Sequence, residues 1–456
     1  MTVRKLGLLS ALVFAIASVF AGTGAAAKSS TPPKASDIQV MQDAGMSPKT
    51  TTEGGAKVLA TTRTIAHWWG STLDPHNGVT YGYNMAGANP NTCSGAGCST
   101  TIVTDITPIN VVVGGMTFNG TDVLNATLQS PQFTPADFTT TPHSTVIVPD
   151  EFLPDGSPNP AYNPNGPGFG SGGPLSAGNS GVQLEDATMR SQFNKFGSYH
   201  VILQPNVKPA VTIVVPQNKG VLRQSVRGTI FADVNIAWWS AQIQNLLSQA
   251  DPTHLPLYLT DSVMLYIGSP DNCCVIGYHG TKAAGAGSGN TGSNGNAPVQ
   301  TFAWASYVTA GIFNPQYDWA LQDIHALSHE IAEWGDDPFV NNWVEPWLTP
   351  TAPQYGCTNI LETGDPVVGI GFSAGTNTFR QGGPISWTDS AGVHHTIVAT
   401  DGTYHPEDEA ILPWFLRLAP NNVSQLTQTP SANHGRYTFM GDLNPYPGFR
   451  APATGC

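Results

Sequence analysis

Ser328-His329-Glu330-Ile331-Ala332-Glu333 is the stretch on which the reading of this chain turns. In a helix it sets one imidazole and two carboxylates within about one and a half turns. Around it, Leu321, Ile324, Leu327, Ile331 and Trp334 recur at intervals of three and four, the pattern of a buried helical stripe. The spacing predicts a helix from about Gln316 to Trp334, ended by Gly335 as a C-cap. At about 100° per residue, His325, His329 and Glu333 share a neighbouring stripe, with Glu330 a little further round. Polar groups in that position are expected to line a cleft beside the core.

Helical rise decides which of these groups can share an ion. His325 and Glu333 stand about 12 Å apart along the axis, and bonds from Zn²⁺ to nitrogen or oxygen are about 2 Å. They cannot both bind one metal. His329 with Glu333 can, and that pairing leaves Glu330 where a general base stands in the motif H-E-x-x-H, here with Glu in place of the second His. Glu362 or Asp365, from Glu362-Thr363-Gly364-Asp365 on a turn ended by Pro366, would complete the shell. A His with carboxylates is a harder donor set than two His and one Glu. The expected ion is Zn²⁺, with Mn²⁺ or Ca²⁺ as alternatives. The competing reading is an ordinary helix with a solvated charged face.

The rest of the chain alternates strand and helix signals. Ile109-Asn110-Val111-Val112-Val113 and Val211-Thr212-Ile213-Val214-Val215 are β-branched runs bounded by turn residues. Asp233 is placed to cap a helix from Val234 to about Ser248, and Leu257 to Ile267 reads as one or two strands. The expected fold is α/β, a mixed twisted sheet packed on a few helices, with a zincin-like core and long Gly/Pro-rich loops. The expected organisation is a signal peptide over 1–27, a flexible leader over 28–60 and one globular domain over 61–456. Loop insertions are expected near 154–181 and 282–297.

Arg4 and Lys5, the apolar run Leu6 to Phe20 and the small residues Ala25-Ala26-Ala27 form a secretory signal pattern. The six cysteines suit an oxidising compartment. Cys93 and Cys98 are expected to bridge locally. Cys273 and Cys274 are adjacent, so each is expected to pair with a distant partner, Cys357 and Cys456 being those left over. Charged residues are only 11% of the chain and its net charge is −13. That balance argues against nucleic acid or an anionic membrane as partner. No apolar stretch is long enough to span a bilayer comfortably.

Other candidates carry less. His279 is read as packed rather than ligating. His67-Trp68-Trp69 and the trio Trp334, Trp343 and Trp347 are read as buried, or else as a platform for sugar rings. No G-x-S-x-G elbow and no P-loop lysine is present.

The hexapeptide, followed by Asp337-Pro338, Trp343 and Glu362-Thr363-Gly364-Asp365, resembles a group of secreted bacterial proteins. These carry S-H-E-x-x-E, D-P, W and E-x-x-D in that order and are distantly similar to plant phosphate-induced, EXORDIUM-like proteins. Cys274-Val275-Ile276-Gly277-Tyr278-His279 and Gln183-Leu184-Glu185-Asp186-Ala187 are similar to the same group. The chain departs from it at Glu333-Trp334-Gly335-Asp336. The resemblance implies a secreted protein with a metal site and transfers no reaction. The expected function is a secreted metal-dependent, metallopeptidase-like hydrolase acting on an extracellular peptide or polymer. His329, Glu333, Glu362 and Asp365 are the candidate ligands and Glu330 the candidate base. The other class is a non-catalytic binding or cell-envelope protein with a structural metal or none.

Overall fold

Val299–Tyr307 is buried along its whole length and forms the axis of the main sheet. Strands buried on both faces read as continuous apolar runs rather than alternating ones, and Leu255–Asp261 beside it is buried throughout as well. Across the sheet the order is His200–Val207, Ser99–Val113, Leu255–Asp261, Val299–Tyr307, Gly277–Ala283 and Thr52–Glu53. The first four are mutually parallel. Gly277–Ala283 runs antiparallel to Val299–Tyr307. The computed structural model describes residues 38–41, 51–53, 62–139, 144–145, 180–193, 195, 197–283, 298–313, 323–349, 356–368, 370–379, 385–389, 391–397, 402–417 and 438–439.

The register of the two strands nearest the site explains the layers on either side. Gly277 stands opposite Ala305, His279 opposite Ala303 and Thr281 opposite Thr301. Alternate residues share a face, so this face is built of small side chains plus one imidazole. The helix His325–Asp336 packs against these two strands, and Trp334 Nε1–H donates to Thr301 Oγ1 at 3.0 Å. The residues between them, Tyr278, Phe302 and Trp304, form an aromatic layer on the other face with Trp239. Trp239 meets Trp304 edge-on at 5.7 Å, and Tyr278 lies 5.4 Å from Trp304. Such pairs contribute about 0.5–1.5 kcal/mol each beyond their buried area.

A second, four-stranded sheet orders Gln39–Met41, Gly220–Ser225, Ile230–Asn235 and Val263–Tyr266. The mixed α/β character is as expected, but strands dominate and fall into several sheets. Within the stretch read as a leader, Gln39–Met41 pairs in parallel with Gly220–Ser225, and Thr52–Glu53 with Gly277–Ala283. These two pieces are therefore sheet strands. The expected signal segment and most of both loop insertions lie outside the described residues.

Three expectations are corrected. Asp233 lies inside the strand Ile230–Asn235, buried beside Arg223. The cap of the helix Ile236–Leu246 is Asn235, whose side chain accepts from Trp238 N–H at 3.1 Å. The site helix begins at His325, with Asp323 and Ile324 bent before it; residues 316–322 of the expected helix lie outside the described residues. It continues through Gly335, whose lack of a side chain makes room for the Glu185 carboxyl rather than ending the helix. Cys93 pairs with Cys98 as expected, but Cys273 pairs with its neighbour Cys274. The peptide bond between them is cis and their Cα atoms are 3.1 Å apart, which lets adjacent thiols meet without a distant partner. Cys357 is also disulfide-bonded; Cys456 lies outside the described residues.

Candidate metal centre

The site helix is buried all round: every residue from His325 to Asp336 is covered. The expected open polar edge is therefore enclosed, and its charges must be answered by other protein groups. Ser328 begins the answer. Its Oγ–H donates to His325 O and its oxygen accepts from Glu407 N–H, each at 2.9 Å. This ties the Glu407 backbone to the helix and sets its carboxylate between the two imidazoles. Glu407 Oε2 lies 2.7 Å from His329 Nδ1 and 2.8 Å from His325 Nε2. His325 thus meets the same carboxylate as His329 and belongs to the support of the site.

With Nδ1 engaged, His329 presents Nε2 to Glu333 Oε1 at 2.9 Å and to Asp365 Oδ1 at 3.7 Å. Its ring lies against Gly364, where a Cβ would run into Nδ1. The loop after Glu362 can approach so closely only because residue 364 has no side chain. Gly277 plays the corresponding part for Glu330: a Cβ there would stand 2.6 Å from Glu330 Oε1.

On the other side of Glu333 stands His279. Its Nδ1 is 3.4 Å from Glu333 Oε2, 3.5 Å from Glu330 Oε2 and 4.0 Å from Glu362 Oε2. Two ligand-like groups therefore share Glu333: His329, Glu333 and Asp365, and His279, Glu330 and Glu333. His329, Glu333 and Asp365 converge in the first group and Glu330 falls in the second, while Glu362 belongs to neither and approaches the second through His279. Only Asp365 has appreciable exposure, with 27% of its side chain accessible.

The electrostatics follow from burial without basic residues. Among the described residues, every ion pair of Glu330, Glu333 and Glu362 is to an imidazole. Burial pushes the Glu330 carboxyl up to about 8, although His279 pulls it down. Burial raises Glu362 well above the carboxylate range, with the charges of Glu333 and Asp365 acting in the same direction. Burial also opposes charge on Glu333, but the positive charge of His329 outweighs it and holds that carboxyl low. His279 is raised to about 9: burial works against its charge, and the Glu330 and Glu333 carboxylates prevail. Without an ion, the cluster balances its carboxylates by holding protons.

Sequence reasoning did not assign His279 or Glu407 to the site. His279 carries a signal in retrospect, because strand alternation sends it to the face opposite Tyr278. Glu407 has no local pattern pointing to it. Of the tryptophans, Trp334 and Trp347 are buried, while Trp343 is 54% exposed. Asp337, of the Asp-Pro pair, closes the turn after the helix by accepting from the backbone N–H groups of Asn341 and Asn342.

A scan of family models and searches of curated proteins and of solved structures found no match to this chain. No helix among the described residues is long and apolar enough to cross a membrane.

Proposed function

We propose that this chain is a secreted metal-dependent hydrolase, metallopeptidase-like in its use of an H-E-x-x-E helix and zincin-like in its core. The observation that carries the reading is the convergence of His329 Nε2, Glu333 Oε1 and Asp365 Oδ1. An imidazole nitrogen with carboxylate oxygens suits Zn²⁺ or Mn²⁺, and Ca²⁺ less well because it favours oxygen alone. A bound ion would supply Lewis acidity and bring the pKa of water towards about 7. The chain's own groups do the remaining work. Glu407 holds the His329 ring so that Nε2, rather than Nδ1, faces the ligands. Glu330, the residue next to His329, would be the proton acceptor by its place in the motif. Asp365, at the exposed margin, marks the side from which an extracellular peptide or polymer would enter. The signal pattern of the first residues supports export.

The enclosure of the site favours a second reading, in which the ion is structural, because closed sites are structural and catalytic ones keep an open position. Metal analysis of purified variants tests both. His329→Ala and Glu333→Ala should each empty the His329 position. Glu330→Gln should keep an ion there and lose hydrolysis of a casein or peptide-library substrate. If all three bind metal as the parent does, the site is elsewhere. A Co²⁺-loaded parent whose visible spectrum is unmoved by azide would favour the structural ion.

A further inference from the structure

We propose that the site holds two divalent cations bridged by the Glu333 carboxylate, one on His329 and Asp365, the other on His279, Glu330 and Glu362. This rests on the metal-dependent reading above and extends it from one ion to a pair, with Glu330 serving as a ligand in place of its role as proton acceptor.

Spacing is the first argument. Ligands at about 2.0–2.2 Å from one ion in a tetrahedral shell stand about 3.3–3.6 Å from each other. His279 Nδ1 is 3.4 Å from Glu333 Oε2 and 3.5 Å from Glu330 Oε2, with Glu362 Oε2 slightly wide at 4.0 Å. The two groups use different oxygens of Glu333: Oε1 faces His329 and Oε2 faces His279. A carboxylate used in that way sets two ions about 3.5–4 Å apart, the separation of two-metal centres.

Unanswered polarity is the second. Among the described residues, neither ring nitrogen of His279 has a hydrogen-bond partner, nor has either carboxylate oxygen of Glu330 or Glu362. All three residues are buried. Leaving a buried polar atom unsatisfied costs about 1–3 kcal/mol, and more when it is charged. One atom each of His279, Glu330 and Glu333 lie close together, and a cation between them would satisfy several at once.

Charge is the third. The four carboxylates Glu330, Glu333, Glu362 and Asp365 match two divalent ions when deprotonated; a single ion would leave part of their charge to be met by bound protons. Glu407 is already engaged by His325 and His329. The thiols of Cys273 and Cys274, next to the His279 strand, are tied in a disulfide. The donors are thus imidazole and carboxylate, which points to Zn²⁺ or Mn²⁺.

The full-length protein, stripped with chelator and reloaded with Mn²⁺ or Zn²⁺, provides the test. Two ions per chain are expected, with the Mn²⁺ form giving the electron paramagnetic resonance spectrum of a spin-coupled pair. His279→Ala and Glu330→Gln should each reduce the count to one and convert the spectrum to that of isolated Mn²⁺. One ion in the parent, unaffected by His279→Ala, would overturn the second position and leave the His329 position standing. No ion in the parent would overturn both. Should the variants fail to fold, the parent decides alone: two coupled ions support the proposal, and any other count or an uncoupled spectrum refutes it.

Discussion

A single oxygen of Glu407 serves two histidines, lying 2.7 Å from Nδ1 of His329 and 2.8 Å from Nε2 of His325. The contact occupies Nδ1 and leaves Nε2 turned towards Glu333 and Asp365; with an ion bound there, the His329 proton would stay on Nδ1. Partners of this kind typically change metal affinity by about 10–100-fold. Glu407→Gln is expected to weaken binding by about that factor while leaving the fold intact, measured by competition with a chromogenic chelator. Unchanged affinity would mean that Glu407 does not orient the ring.

The two site glycines yield a packing prediction. Gly364→Ala should displace the His329 ring and Gly277→Ala the Glu330 side chain, because each Cβ would overlap its neighbour. Overpacking of this kind costs about 1–3 kcal/mol. Urea unfolding should record that loss for both variants, with weakened metal binding for Gly364→Ala. If Gly364→Ala binds metal like the parent, the close approach of the loop is not what fixes the ring.

Stability of the ion-free chain should fall as pH rises. Asp233 is pushed up to about 7 by burial, against the pull of Arg223, and Asp336 to about 7 by burial, against its bond from Gln192. An acid with a raised folded pKa holds its proton more tightly in the native state. Its contribution is complete below about pH 4, the unfolded carboxyl range, and is lost as pH passes 7. His279, raised to about 9 through the net pull of Glu330 and Glu333 over burial, acts in the same direction at higher pH. The unfolding temperature in chelator should therefore decline from pH 4 to pH 8, with a shallower decline in Asp233→Asn. A rising profile would contradict these environments.

Two tryptophans of one strand should behave differently. Trp347 is buried, donates Nε1–H to Ile360 O at 2.9 Å and packs edge-on against Trp414 and Phe415. Trp347→Ala should cost about 3–5 kcal/mol. Trp343 is exposed, and Trp343→Ala should stay within about 0.5 kcal/mol of the parent. A large loss at Trp343 in denaturant unfolding would show that it is covered.

The helix and its ligand-like residues were legible because both follow local rules. Residues three and four apart share a helical face, and His329, Glu330 and Glu333 obey that spacing. Glu362 and Asp365 were legible as a carboxylate pair on a turn. The start of the helix was not, since Ile324 fits the apolar period but is bent. Gly335 was misread because a helix-ending glycine and one admitting a neighbour's carboxyl look alike in sequence. His279 and Glu407 were missed for a different reason: they reach the site by strand register and long-range docking, which leave no local pattern. Cys273 and Cys274 are the opposite case: distant partners were expected and the bond joins neighbours.

The centre draws its groups from strand residue 279, helix residues 329 to 333, the turn at 362 to 365 and Glu407, far along the chain. No contiguous fragment shorter than that span contains all of them. Loops of such length close late and slowly compared with local helix formation. An emerging polypeptide that has made the helix but not yet residue 407 has His329 without the carboxylate that fixes its ring. Full affinity for an ion at the proposed site would thereby be deferred until most of the chain has been made, and a truncated product would carry the motif without the carboxylate that fixes its ring.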